Sequence, residues 1–392
     1  MYARMMIVVL VVARPVWGGE PETAVVFDPA LDGFRSIRIP AVVVTRRGTV
    51  LAFAEGRSAE ADQAQNRLIL KRSRDGGRSW GPRVVVAGDG VGSLNNPCAL
   101  VDRSNGRILV VHQKYPAGAT EINGTVDPGY EGDRVVRNFL ITSDDDGATW
   151  SSPRDVTRST KRPLPVTTVA SGPGVGIQLR HGRFAGRLLV PFNEGPFELW
   201  KIYVIYSDDG GATWTMGAVA PGGTIDVPGK GKRSTVNEAQ IVELADGSIR
   251  MNARRWAGVP VRKTCLSRDG GASWSPVEDA PELADPSCMA SILRVSDSAD
   301  GEPSRILFSG PEGVGRRRGT VFLSTDEGRS WPVKRVLHNG GFGYSCLTKT
   351  TEGAVGCLYE TEGASRIVFA RFSLDWLTRA HDQTPASIKP AQ

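Results

Sequence analysis

Six times along the chain an apolar run, a polar turn carrying glycine, and a second apolar run follow one another. The segments are RIPAVVVTRRGTVLAFAEGR (38–57), NPCALVDRSNGRILVVHQK (96–114), GVGIQLRHGRFAGRLLVPFNE (174–194), EAQIVELADGSIRMNAR (238–254), CMASILRVSDSADGEPSRILFSG (288–310) and YSCLTKTTEGAVGCLYE (344–360). Short apolar runs flanking turn residues predict antiparallel hairpins. The chain therefore reads as nearly all β.

After each of the first five hairpins stands an octet of the form Ser-x-Asp-x-Gly-x-Ser/Thr-Trp: SRDGGRSW at 73, SDDDGATW at 143, SDDGGATW at 207, SRDGGASW at 267 and STDEGRSW at 324. Starts separated by 70, 64, 60 and 57 residues mark a repeated structural unit. In each copy short polar side chains bond local backbone, Gly supplies positive φ and Trp is available to pack, so the octet predicts a turn from a third strand into a fourth. A calcium loop is excluded, because no copy continues with alternating oxygen ligands and a glutamate at the twelfth position.

The sixth hairpin is followed by RIVFARFSLDWL without an octet, and the early AVVFDP (24–29) is free to complete that last sheet. Six four-stranded units closed in this way predict a six-bladed β-propeller, an architecture that leaves only short strand edges. It is assigned to residues 20–380, with a polar tail at 381–392.

With 392 residues and 46 glycines, the chain suits such a repeat and buries a sizeable core. The charges, 48 Lys and Arg against 42 Asp and Glu, are scattered rather than run together, which argues against a nucleic-acid partner. Five cysteines without a C-x-x-C pair, and four dispersed histidines, offer no zinc spacing; no metal is expected. Residues 1–19, MYARMMIVVLVVARPVWGG, place Arg4 before an apolar run and then small residues, the order of a secretory signal. That run is too short to span a bilayer. Secretion or periplasmic export is the expectation, for a chain read as a monomer.

Hairpin topology also says where chemistry gathers. The start of each first strand and the end of each second strand lie at one edge of the blade, opposite the octets. Those positions hold Arg38, Arg57, Glu238, Arg254, Tyr344 and Glu360. Any one of them alone reads as a solvated strand end. Together, at equivalent positions around a ring, they point to a functional mouth.

SIRIPAVVV, LAFAEGR, the octets, GPGVGIQL, NEAQIVEL, MNAR, LFSGP, GYSCL, and LYE before IVFARF resemble, in order and across 34–377, the exo-α-sialidases with Asp-box repeats. The resemblance implies a retaining glycoside hydrolase that releases terminal sialic acid without cofactor or metal, with sialylated glycoproteins, glycolipids and oligosaccharides as partners. Arg38 and Arg254 match two members of the family's arginine triad; the third should lie just before TVFLSTDEG, where counting back from Thr320 favours Arg316, with Arg317 or Arg318 as the alternatives. A planar, permanently charged fork suits the sugar's carboxylate better than lysine does. Glu360 matches the carboxylate that holds the first arginine, and Arg57 a residue bordering the N-acyl side.

Tyr344 and Glu238 match the nucleophile and its base. A neutral phenol avoids the like-charge repulsion that a carboxylate nucleophile would meet at a carbon already bearing a carboxylate. Asp62 matches the proton donor, eleven residues before Ser73, with Glu60 its neighbouring substitute. The family's D-x-G-D-I-D here reads DQAQNR, a departure in the pocket beside that acid. Glu194 and Trp200 are candidates for an outer pocket, although packing is the simpler reading for Trp200 and Trp256. A trans-sialidase, or a hydrolase of a related nonulosonic acid, would use the same residues. A non-catalytic sugar-binding propeller would need the arginines but not Tyr344, Glu238 and Asp62 together.

Overall fold

The computed structural model describes residues 19–379, apart from 123, 362, 364 and 365. The 381–392 tail and all but the last residue of the proposed signal lie outside the described residues. Six sheets, antiparallel but for one short added strand, follow one another as the blades of a propeller. The first comprises Ser36–Val44, Val50–Arg57, Arg67–Ser73 and Val84–Ala87 in simple succession. The last comprises Ser345–Lys349, Val355–Glu360 and Ile367–Phe372, and is completed by the N-terminal strand Glu22–Phe27. Ala24 opposite Phe369 sets that closing register; the strand that completes the ring is Glu22–Phe27, two residues earlier at each end than 24–29, because Asp28 caps the short helix Pro29–Asp32.

The first strands of neighbouring blades contact each other around the central channel. Apolar side chains fill the wedges between blades, as where Val26, Ala52 and Ile69 meet Leu358 and Phe369. Burying such side chains contributes roughly 1.5–3 kcal/mol each.

The octets form the predicted turns. Ser73 Oγ donates to Asp75 Oδ1 (2.7 Å) and accepts from the Gly77 amide (2.7 Å). Asp75 accepts from the Ser79 amide (2.9 Å) and hydroxyl (2.5 Å). The same net recurs at Asp145 and Asp209. The terminal tryptophans then brace neighbouring blades, Trp80 edge-on to Phe369 and Trp150 edge-on to Phe53.

One hairpin differs from the pattern. The 174–194 segment is not one simple pair of strands: Thr168–Ser171 pairs with Leu188–Gly195, Gly174–Val175 crosses to run parallel to the second blade, and Ile177–Gln178 returns. The cause is G-P-G at 172–174. Pro173 has no amide to donate, and Gly172 and Gly174 take positive φ (57° and 111°). Gln240 Nε2 secures the detour by donating to the carbonyls of Pro173 (2.7 Å) and Val175 (3.3 Å). An added hairpin, Thr224–Val227 with Gly231–Ser234, stands apart from the six blades.

The inner strands kink near one mouth of the channel. Register jumps from Arg38↔Glu55 to Ala41↔Phe53 in the first blade, and from Asn95↔Gln113 to Cys98↔Val111 in the second. Pro40 and Pro97 sit in these kinks, where a missing N–H removes a ladder donor. Such bulges re-aim side chains. Ile39 adopts φ 63°, a costly conformation for a β-branched residue, and its amide is held by Glu360 Oε1 at 2.9 Å.

Candidate active site

The kink in the first blade carries Arg38 to the mouth, where Glu360 of the last blade receives it in a fork. Nε donates to Oε1 at 3.1 Å and Nη2 to Oε2 at 2.9 Å. Glu360 is 1% exposed and also accepts from the Tyr344 amide (3.1 Å). Burial pushes its carboxyl up, but the charge and hydrogen bonds of Arg38, with the backbone donors, outweigh it and hold Glu360 below its ordinary value.

Tyr344 stands at the centre of this group. Its hydroxyl donates to Glu238 Oε1 at 2.6 Å and accepts from Arg254 Nη1 at 2.8 Å. Arg254 Nη1 reaches Glu238 Oε2 at 2.7 Å as well. The guanidinium carbons of Arg38 and Arg316 each lie 5.2 Å from the Tyr344 ring centre. Burial pushes the phenol well up from its ordinary value, while Arg254 pulls it down and Glu238 adds to the rise.

Of the three consecutive arginines, Arg316 is the one that turns inward; its Nη2 donates to the Ser287 carbonyl at 2.9 Å. Arg317 opens an exposed stretch of the strand Arg317–Ser324, and Arg318 lies 3.7 Å from Glu312. Arg316 lies in the bend just before that strand, where its carbonyl accepts from the Phe342 amide (2.8 Å), and it is the arginine of the three whose guanidinium stands against the Tyr344 ring.

Arg57 and Asp62 form a second charged group. Arg57, 1% exposed, binds Glu55 through Nε (2.8 Å) and Asp62 Oδ1 through Nη1 (2.7 Å). The Asp62 side chain remains 59% exposed and lies 3.9 Å from Arg38 Nη1. Burial raises its carboxyl, but Arg57 and then Arg38 hold it below the ordinary value. Glu60 instead pairs with exposed Arg35 at 3.3 Å. A cleft of about 590 Å³, lined in part by Arg35, Arg38, Glu60, Arg316 and Glu360, opens beside these groups.

Glu194 and Trp200 are not part of this gathering. Glu194 is buried against Arg162 (2.9 Å), and Trp200, 2% exposed, packs edge-on to Trp256 and Phe197. Trp256 lies nearer, with the Arg254 guanidinium 5.8 Å from its ring. Among the described residues, no three His, Cys, Asp or Glu side chains gather in a metal-holding group.

Residues 48–357 match the BNR repeat-like domain family. Over 363 residues the chain is 34% identical to a sialidase of Micromonospora viridifaciens, covering 88% of this chain and 53% of that one. An exo-alpha-sialidase of Arthroderma benhamiae is 30% identical over 383 residues, covering 88% of this chain and 85% of that one. The chain belongs to the sialidase family.

Among solved structures, this sialidase-family propeller matches the Hadza microbial sialidase Hz136 with TM-score 0.78 at 29% identity, covering 88% of this chain and 67% of that one. An intramolecular trans-sialidase from Ruminococcus gnavus matches with TM-score 0.75, covering 91% and 98%; at 22% identity it shows the fold alone. The chain spans 53% and 61% of the length of the M. viridifaciens and Bacteroides fragilis sialidases it matches.

Two acidic residues of this sialidase-family mouth escape a reading of strand ends. Glu55 is fully buried and, besides Arg57, accepts from the Asn96 amide (2.6 Å); its signal was E-x-R, which places both side chains on one face of a strand. Glu121, half-buried in the loop after Ile108–Tyr115, is pushed up to about 7 by burial, then by the charges of Asp62 and Glu238, against Arg254. No local pattern marks it.

Proposed function

We propose that this chain is a retaining exo-α-sialidase that hydrolyses terminal α-ketosidically linked sialic acids of glycoconjugates. The observation that carries the reading is the buried Tyr344 hydroxyl, held by Glu238 Oε1 at 2.6 Å and Arg254 Nη1 at 2.8 Å. A sugar-binding propeller has no use for a phenol paired with a carboxylate base. The named sialidase relatives support the same reading.

Arg38, Arg254 and Arg316 receive the sugar carboxylate, which fixes the anomeric carbon over Tyr344. Glu360 holds Arg38 in its fork and leaves the remaining nitrogen for substrate. As the phenol oxygen attacks, Glu238 takes its proton, so no charge develops against the substrate's own carboxylate. The anomeric carbon–oxygen bond breaks on the opposite face, and Asp62 delivers a proton to the departing oxygen. Water activated by Asp62 then displaces tyrosine, and two inversions restore the starting configuration.

Free Asp62 is an ionised partner of Arg57, whereas a proton donor must be neutral. Substrate lying over its exposed carboxylate removes water from the charged form and favours protonation at that moment. Arg57 positions this acid and borders the N-acyl side of the pocket. The basic, apolar, small order of residues 1–19 supports export.

Incubation with sialosides of differing linkage and N-acyl group, with NMR of the first-formed sugar, tests the reading. The α-anomer is expected, and none from Tyr344→Phe. Initial β-anomer would refute the tyrosine nucleophile. Transfer to a second sugar in preference to water would replace hydrolysis by trans-sialylation.

A further inference from the structure

The channel has a second end, away from Tyr344, and its chemistry is unused by the proposed reaction. The inner strands run from one end to the other. Ser36–Val44 carries Arg38 near its start and Val44 at its close, Val236–Glu243 carries Glu238 and then Glu243, and Ser345–Lys349 follows Tyr344 and ends on a cation. Six residues of strand separate Arg38 from Val44, roughly 20 Å at 3.3 Å per residue.

A cavity of about 310 Å³ lies at this far end. Its wall includes Val44, Val101, Val175, Ile177 and Leu293, each half-buried rather than covered. Its rim carries Arg103, Arg180, Arg294 and Lys349. An outer vestibule shares Arg103, Arg180 and Lys349 with the cavity, which places these three where the two meet.

The acids at this end are already engaged. Glu243 accepts from the amides of Arg180 (2.7 Å) and His181 (2.8 Å), and Asp297 from His181 Nε2 (3.0 Å). Asp300 accepts from Arg180 Nη1 (2.9 Å), and Glu327 binds Arg294. Two cations are left over. The Arg103 guanidinium donates to the carbonyls of Gln178 (2.8 Å) and Leu179 (3.3 Å), and Lys349 Nζ to the carbonyl of Val295 (2.7 Å). Among the described residues, neither has a carboxylate within 4.0 Å. Burial, and then the charge of Arg180, push the Arg103 guanidinium down from its ordinary value, against the charges of Glu243, Asp102 and Asp300.

We propose that this far end of the channel is a binding site for a small amphipathic anion, a carboxylate carried on a short hydrocarbon chain, with the charge between Arg103 and Lys349 and the chain in the apolar cavity. An inorganic anion would leave the wall uncovered, and a neutral hydrocarbon would leave the two cations unanswered. The volume is at the lower limit of pockets that take small molecules, which suits a fragment-sized ligand. Attraction at an exposed rim is screened by salt, so binding weakens as ionic strength rises.

Calorimetric titration of the full chain with sodium octanoate tests this, with 1-octanol and acetate as comparisons. Octanoate is expected to bind at least ten-fold more tightly than either. The double variant Arg103→Glu, Lys349→Glu should lose at least ten-fold in octanoate affinity, and Arg103→Gln, Lys349→Gln should weaken it without reversing charge. Both residues are exposed, so native circular dichroism is expected of each variant. Arg254→Ala, which disables the arginines of the other mouth, should leave octanoate binding unchanged. The proposal is overturned if octanol matches octanoate, if acetate matches it, if octanoate does not bind, or if Arg254→Ala abolishes binding that the charge variants retain.

Discussion

Tyr344 and Glu238 lie 106 positions apart in the chain and meet through a 2.6 Å hydrogen bond. The other oxygen of the same carboxylate is held by Arg254 at 2.7 Å. Glu238 can therefore accept only one new proton in a fixed direction, from the phenol. Its replacement by Gln keeps the shape and removes the base. Glu238→Gln is expected to lower kcat by about 10²–10⁴-fold, the usual worth of a positioned general base. Thermal unfolding should show a folded variant, and stopped assays should show the loss; kcat within a few-fold of the parent would remove Glu238 from that role.

The three guanidiniums around Tyr344 give a graded prediction. Arg38→Lys, Arg254→Lys and Arg316→Lys each replace a planar fork by a point charge. Each is expected to cost about 2–4 kcal/mol of transition-state stabilisation in kcat/KM, by analogy with losing one oxyanion donor. Arg317→Lys and Arg318→Lys should be mild. A large effect at 317 with none at 316 would reverse the assignment.

Asp62 is assigned to the leaving group, so its removal should depend on what leaves. Asp62→Ala is expected to slow cleavage of a sialyl-galactoside severely and to spare an aryl sialoside whose phenolate departs unaided. Equal losses on the two substrates would assign Asp62 to Arg57 and Arg38 as a structural partner only.

Glu121 bears on the pH profile. Its carboxyl, raised to about 7 by burial and by Asp62 and Glu238, is neutral below that pH and anionic above it. That charge is coupled to Asp62, Glu238 and Arg254 and would oppose an anionic sugar bound among them, so kcat/KM is expected to fall as pH rises through about 7. Glu121→Gln should move that limb upward. An unmoved limb assigns the titration to another group.

Acid stability follows from the octets. Hydrogen bonds from the hydroxyl and amide of Thr149 hold Asp145 at about 2, and those of Thr213 do the same for Asp209. A carboxylate whose folded value lies below its unfolded value contributes stability above the unfolded value and loses it as pH falls through the folded one. Urea midpoints should therefore drop between pH 4 and 2. Asp145→Asn and Asp209→Asn should start lower at neutral pH and show a shallower fall; an unchanged slope would exclude these turns as its source.

The chain by itself determined the repeating unit. Alternation along a strand and the hydroxyl–carboxylate turn at 73–80 are local, needing only neighbours within a few residues, so five of the six hairpins, the octets and a closing N-terminal strand near 24–29 were legible. The charged strand ends were legible too, because hairpin geometry assigns them to one edge. Other features depended on contacts between distant segments. Arg38 and Glu360, 322 positions apart, meet only because the ring closes. Arg316 rather than Arg317 faces Tyr344 because pairing with the next strand, Arg317 opposite Gly341, sets the register. Glu121 acquires its raised value from burial in a loop beside carboxylates of other blades, and the detour at Gly172–Gly174 is held by Gln240 of the next blade. Local pattern specifies each strand; tertiary packing decides which side chains share a space, because charge, burial and reach are properties of that space.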